Sequence, residues 1–157
     1  MQHRTRLLAA IVLGVISTAL PASAERTNGI YAEVLGKGGL WGLGYDHRVH
    51  HRFTVGAVGS GYSMEGQRYI SLSPYLGVYI LKGGRSAWFA DAGAQVVHAW
   101  APSPVPEWDG TSSTGLGGIM SSGYEFRGQF LYRVFVHGAF GKGGATPWLG
   151  TSIGWAF

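Results

Sequence analysis

Seven ionisable side chains stand out in a chain that is poor in charge. Only 13% of its 157 residues are Asp, Glu, Lys or Arg, whereas about 25% is usual in a soluble protein. Acids and bases arranged in this way could form a selectivity lining, form a gated salt-bridge plug, or neutralise one another in a closed interior. We expect the last of these. The seven residues are Glu33, Asp46, Arg48, Asp91, Glu125, Arg133 and His137.

The three histidines His47, His50 and His51 are candidate metal ligands, since imidazole commonly binds metal ions. Their spacing would suit one face of a helix, but they fall at a strand–turn junction where Asp46 is the only adjoining acid. We therefore expect solvated turn histidines and no metal site. The absence of cysteine excludes a disulfide scaffold and a Cys-based zinc or redox site. No motif in the sequence indicates a cofactor, and the Gly-Lys-Gly-Gly turns at 36–39 and 141–144 lack the phosphate-loop pattern.

The first 24 residues are typical of a secretory signal peptide. Arg4 and Arg6 precede an apolar stretch, and Ala22-Ser23-Ala24 provides a small-residue cleavage site. The alternative is an uncleaved anchor, but the apolar stretch is shorter than the roughly 20 residues that a spanning helix needs. Cleavage would leave residues 25–157 as one domain and, by removing both arginines, would reduce the net charge from +4 to +2. The basic character therefore indicates no nucleic-acid partner.

Beyond residue 24 the chain alternates apolar and polar residues with period two, interrupted by glycine-rich turns. One connection is longer, at 101–112, where three prolines prevent strand pairing. Eight such runs predict an all-β, eight-stranded, antiparallel up-and-down barrel. The runs are 28–37, 39–48, 52–63, 67–81, 86–100, 113–126, 129–141 and 146–157.

The composition of the two faces decides between a soluble barrel and a transmembrane barrel. A soluble barrel would carry many lysines and glutamates on its polar face, but here that face is mostly Gly, Ser and Tyr. Lysines instead fall at the turns, as Lys37, Lys82 and Lys142 do. This favours a transmembrane barrel with its apolar face in lipid and a polar lumen, and a soluble secreted barrel is the main alternative. Aromatic residues near the run ends are typical of an interfacial girdle; they are Trp41, Trp88, Trp100, Phe126, Trp148 and Trp155.

The last run, TPWLGTSIGWAF, ends the chain on an aromatic residue with side chains stepping back at every second position. It resembles the C-terminal insertion signal of bacterial outer-membrane β-barrel proteins. The residues that carry the resemblance are Leu149, Thr151, Ile153, Trp155 and Phe157. The resemblance implies an exported, integral protein of the Gram-negative outer membrane. Its implied partners are outer-membrane lipid, lipopolysaccharide, the barrel assembly machinery and periplasmic chaperones. It also implies that both termini face the periplasm and the 101–112 connection faces outward.

Some small barrels of this kind are enzymes that act on lipopolysaccharide, and His98 with the nearby Ser103 is a candidate pair of base and nucleophile. However, the His-x-Ser motif of the lipid A deacylase barrels is absent after both His98 and His137. We expect no catalytic residues and a structural, envelope or surface-interaction role with a lumen filled by side chains. The alternatives are a narrow channel for small solutes or ions and a lipopolysaccharide-modifying enzyme.

Overall fold

A computed structural model describes residues 26–64, 66–103, 110–141 and 144–157. The predicted signal peptide lies outside these ranges, and no helix within them is long and apolar enough to cross a membrane. The described residues form eight strands. They are β1 (Asn28–Gly36), β2 (Gly39–His50), β3 (Phe53–Met64), β4 (Gln67–Gly83), β5 (Ser86–Ala101), β6 (Thr111–Arg127), β7 (Phe130–Gly141) and β8 (Gly144–Ala156).

The strands close into a barrel in sequence order, and every neighbouring pair is antiparallel. Closure is made by β1 against β8, where Ala32 lies opposite Ile153. The predicted eight-stranded up-and-down topology is confirmed. The start of β1 and the end of β8 lie at one end of the barrel, here called the terminal end, together with the β2–β3, β4–β5 and β6–β7 turns. The β5–β6 connection lies at the opposite end, and its residues 104–109 are outside the described part of the chain.

The apolar face of each strand points away from the barrel axis. Ile70 and Ile153 are each 64% exposed and Leu76 is 67% exposed, whereas Ser73 and Glu125 are fully buried. An outer wall of bare aliphatic side chains is unfavourable in water but suited to hydrocarbon, and a closed ladder leaves no free edge there. The predicted orientation, with the apolar face outward and the polar face in the lumen, is therefore confirmed. A soluble barrel would have the opposite orientation.

Glycines on the inward face make room for large side chains in the lumen. A Cβ atom on Gly44 would lie 2.3 Å from the Tyr31 ring, and one on Gly56 would lie 2.5 Å from the Tyr75 ring. Each tyrosine lies flat against a neighbouring strand that carries no side chain at that point. The high glycine content therefore lets a narrow barrel be filled with aromatic rings.

The girdle prediction needs one correction. Trp41, Trp88 and Trp100 are exposed on the outer wall, but Trp148 lies opposite His137 in the β7–β8 ladder and shares its inward direction. The Trp148 ring packs 4.9 Å from the His137 ring, and Nε1 donates a hydrogen bond to the Leu35 carbonyl at 2.8 Å. An indole N–H needs an acceptor, and the lumen provides one while lipid does not.

Candidate functional site: the filled lumen

All seven ionisable residues singled out in the sequence point into the lumen. Six of them are at most 7% exposed: Glu33, Asp46, Asp91, Glu125, Arg133 and His137. Arg48 is half-buried as a residue, and its side chain is 8% exposed. Since they come from five different strands, their convergence is a product of barrel closure.

Glu125 is the centre of an ion cluster near the terminal end. Its Oε1 accepts hydrogen bonds from Arg48 Nη2 at 2.8 Å and Arg127 Nε at 3.0 Å. Its Oε2 accepts from Arg133 Nε at 2.7 Å and Tyr79 OH at 3.1 Å. Oε2 also accepts a longer bond from Arg127 Nη2 at 3.3 Å. These donors use all the lone pairs that a carboxylate offers, so the buried charge is fully compensated.

Asp46 is the second acid of this cluster and binds two of the same arginines. Its Oδ1 accepts from Arg127 Nη2 at 2.7 Å, and its Oδ2 pairs with Arg133 Nη2. Arg127 and Arg133 therefore each bridge both acids. A shared network holds each side chain in place, because breaking any one contact leaves the others to restrain it.

An aromatic layer lies between the ion cluster and the remaining lumen. The guanidinium of Arg133 lies 4.8 Å from the centre of the Tyr31 ring and 5.6 Å from that of Phe89. The Tyr31 and Tyr75 hydroxyls hydrogen-bond to each other at 2.7 Å. The rings are stabilised by the cations that flank them. They close the lumen above the cluster, that is, on the side of the cluster that faces away from the terminal end.

Above the aromatic layer, the β1–β2 turn folds into the barrel. Lys37 lies in this turn, where the sequence placed it, but its side chain is fully buried inside the barrel. Its Nζ lies 3.0 Å from Asp91 Oδ2, close enough for an ion pair but not aligned for a hydrogen bond. The same ammonium sits over the rings of Tyr75 and Phe135, at 4.6 and 4.9 Å. The chain leaves the wall beside Leu35, whose φ of 52° is in the left-handed region that few non-glycine residues adopt.

Polar side chains from the surrounding wall bind the backbone of this inserted turn. Ser73 Oγ and Gln95 Nε2 both donate to the Lys37 carbonyl at 2.8 Å. Ser60 Oγ donates to the Gly38 carbonyl at 2.7 Å, and the Gly38 amide donates to Glu33 Oε1 at 2.8 Å. Contacts to β1, β3, β4 and β5 make the turn a plug that crosses the lumen.

The lumen is electrically balanced within the described residues. Its acids are Glu33, Asp46, Asp91 and Glu125, and its bases are Lys37, Arg48, Arg127 and Arg133. Equal numbers of each sign leave no net field to attract one class of ion. This arrangement matches mutual neutralisation better than a selectivity lining.

Sequence reasoning missed two of these cations for different reasons. The sixth predicted run ends at residue 126, which put Arg127 in the following turn, but period two from Glu125 already placed it on the inward face. Lys37 carried no such signal, because alternation does not apply within a turn. Phe89, Leu131 and Phe135 are apolar residues on the otherwise polar face of their strands, and all three are buried inside the barrel, where they contribute to its filling.

A hydroxyl–imidazole pair lies in the lumen near Asp91. Ser121 Oγ is 2.9 Å from His137 Nδ1, and the two residues face each other across β6 and β7. Ser121 is 5% exposed and His137 is fully buried, so the pair offers little surface to solvent. The His137 Nε2 atom has no hydrogen-bond partner among the described residues, and Asp91 instead pairs with Lys37.

The other histidines lie apart from this pair. His98 is exposed on the outer wall, where its Nδ1 is 2.9 Å from Thr114 Oγ1. His47 Nδ1 donates to Asn28 Oδ1 at 2.9 Å, and the ring centres of His50 and His51 lie 3.8 Å apart at the terminal end, with the rings tilted by 53°. Among the described residues, no group of three His, Cys, Asp or Glu is arranged to hold a metal ion.

The residues of the predicted insertion signal form the outward face of β8. Leu149 and Ile153 are 67% and 64% exposed, and the Trp155 ring packs 5.1 Å from that of Phe130. Thr151 faces outward as well, and its hydroxyl donates to the Arg133 carbonyl at 2.9 Å. Phe157 exchanges two backbone hydrogen bonds with Asn28, which secures the closing seam.

A closed eight-stranded barrel with an aliphatic outer wall and a polar lumen has the fold of small bacterial outer-membrane β-barrels. The N-terminal β-barrel domain of Pseudomonas aeruginosa OprF is similar, with a TM-score of 0.65 at 13% identity over 86% of this chain and 100% of that one. Ail, the attachment invasion locus protein of Yersinia pestis, is also similar, with a TM-score of 0.55 at 12% identity over 85% and 100% of the two chains. At these identities the likeness establishes the fold. No protein-family model and no curated protein matches the chain.

Proposed function

We propose that this protein is an integral outer-membrane barrel with a structural, envelope or surface-interaction role, and that its lumen does not conduct. The observation that carries the proposal is the inserted β1–β2 turn above a neutral ion cluster. Lys37, Asp46 and Glu125 are fully buried, and each forms an ion pair with an opposite charge from a different part of the barrel. Such a lumen makes the barrel rigid and leaves the outer wall and the rims as its surfaces for interaction.

The membrane location is supported by the aliphatic outer wall and by the fold shared with OprF and Ail. The full chain, expressed in a Gram-negative host, is expected to be processed at Ala24 and to remain in the outer-membrane fraction after a carbonate wash. The mature mass and the fraction that contains the protein test both points. Recovery in the soluble periplasmic fraction would contradict the proposal.

The closed lumen predicts an electrically silent protein. Purified barrel reconstituted into a planar bilayer is expected to give no steady single-channel current, because eight strands leave an interior that side chains can fill. A steady current that is abolished by Arg133→Gln would instead support the narrow channel. Arg133 is the informative position, since it contacts both acids of the ion cluster.

The proposed partners follow from the outer surfaces of the barrel. Lipid and lipopolysaccharide would contact the aliphatic wall, while the assembly machinery and periplasmic chaperones would recognise the terminal strand, from Leu149 to Phe157. We also propose that the protein is not an enzyme. The support is the burial of the Ser121–His137 pair, because a nucleophile must reach its substrate.

A further inference from the structure

The outer wall has a groove at the terminal end, between β4, β5 and β6. It encloses about 400 Å³. The β4–β5 ladder shifts register between Tyr79 and Leu81, next to the groove, and this bulge leaves both Ile80 and Leu81 exposed. The groove is lined by Leu81, Lys82, Gly83, Ser86, Ala87, Trp88 and Tyr124.

The groove has an apolar floor and a polar edge. Leu81 and Trp88 are 69% and 47% exposed on the floor. At the edge, the Tyr124 hydroxyl donates a hydrogen bond to Ser86 Oγ at 2.5 Å. An acyl chain suits the floor, and the oxygens of a lipid headgroup suit the hydroxyls.

The rim around the groove is positively charged. Lys82 Nζ donates to the His51 carbonyl at 3.0 Å, which holds the ammonium at the terminal end. Arg52 and Arg85 are exposed on the turns on either side, where their carbonyls accept hydrogen bonds from the amides of Tyr79 and Arg127. All four acidic side chains of the described ranges lie inside the lumen. The acid that precedes the barrel, Glu25, lies outside the described residues.

We propose that this groove binds an anionic glycerophospholipid of the leaflet at the terminal end. One acyl chain lies over Leu81 and Trp88, and the phosphate lies near Ser86 within reach of the cations at Lys82 and Arg85. Basic side chains beside an anionic leaflet attract it over a short range, and the adjoining floor places the headgroup at the level of the girdle. The inference rests on the proposed membrane location, because it needs a bilayer around the barrel.

The test uses the mature barrel in nanodiscs of mixed phosphatidylglycerol and phosphatidylcholine, transferred to mild detergent for native mass spectrometry. Phosphatidylglycerol is expected to stay bound in preference to phosphatidylcholine. Arg85→Gln is expected to weaken its retention about fivefold, which is the effect of one lost cation near an anionic lipid. Arg68→Gln is the matched control, because Arg68 lies at the opposite end against Trp100, and it is expected to change nothing.

A second pair of variants tests the groove by shape rather than by charge. Ser86→Trp fills the groove and is expected to abolish retention, while Ser112→Trp adds the same ring on the outer wall at the opposite end. Far-UV circular dichroism confirms that each variant keeps its strands. Equal retention of both lipids would overturn the proposal. Displacement of the bound phosphatidylglycerol by free glycerol phosphate would also overturn it, and so would retention of lipopolysaccharide in the same groove. Because the lipids are read directly, failure here is distinct from a failure of membrane localisation.

Discussion

Glu125→Gln is expected to lower the free energy of unfolding by about 3–5 kcal/mol, the usual cost of removing one partner from a buried ion network. The carboxylate accepts from Arg48, Arg127, Arg133 and Tyr79. A glutamine of nearly the same size would remove the charge and turn an amide N–H₂ toward these donors. The ion cluster would then contain three arginines and one acid, all with buried side chains. Urea unfolding of the barrel in lipid vesicles, followed by tryptophan fluorescence, measures the loss.

A double variant separates charge imbalance from loss of packing. Arg48 pairs with Glu125, whereas Arg127 and Arg133 both also bind Asp46. Adding Arg48→Gln to Glu125→Gln leaves two cations on one acid and is expected to restore at least half of the lost stability. If the two substitutions instead add, the arginines act as independent packing groups. If the single variant costs under about 1 kcal/mol, within the range of an exposed pair, the cluster is open to solvent.

Gly38→Val is expected to expel the β1–β2 turn from the lumen. A Cβ on Gly38 would lie 2.8 Å from the Trp41 carbonyl oxygen and 2.9 Å from Gly42 Cα, both of which are backbone atoms. Overpacking of this kind costs about 1–3 kcal/mol, which corresponds to roughly a 5- to 150-fold rise in the expelled population. Reaction of Lys37 with a water-soluble amine reagent, mapped by mass spectrometry, reports the change. Lys37 is fully buried in the parent and the exposed Lys82 serves as the internal reference.

Gly141→Val is the matched control for this experiment. Gly141 ends β7 at the same end of the barrel, and a Cβ there would meet no atom within 4 Å. The same added side chain is therefore expected to leave Lys37 protected. Rapid labelling of Lys37 in the unmodified protein would show that the turn does not occupy the lumen, and equal labelling in both valine variants would show that the effect is not local.

Much of the architecture could be predicted because period two is a property of the backbone itself. Once Ile70 is known to face outward, Leu72 and Leu76 must follow, and Ser71 and Tyr75 must face inward. The same rule places Asp46, Glu125 and Arg133 in the lumen. It fails at the bulge between Tyr79 and Leu81 and where the chain leaves the strand, and for the second reason alternation could not predict the burial of Lys37.

Trp148 shows a second limit of prediction from the sequence, and this limit is chemical rather than geometric. An aromatic residue near a strand end suits a membrane interface, but the alternation that placed Ser152 inward applies equally to Trp148. Its indole found an acceptor at Leu35, on a strand more than a hundred residues away. The amino-acid composition alone could not show whether the Trp148 indole would make this hydrogen bond or lie at a membrane interface.

The sequence by itself determined the number of strands, their order and which face of each strand meets hydrocarbon, because these depend on local alternation and on turns. The tertiary structure decided which charges pair, how the aromatic rings close the lumen and that the first turn plugs it. These contacts join residues far apart in the chain, and their geometry is set only when β8 closes against β1.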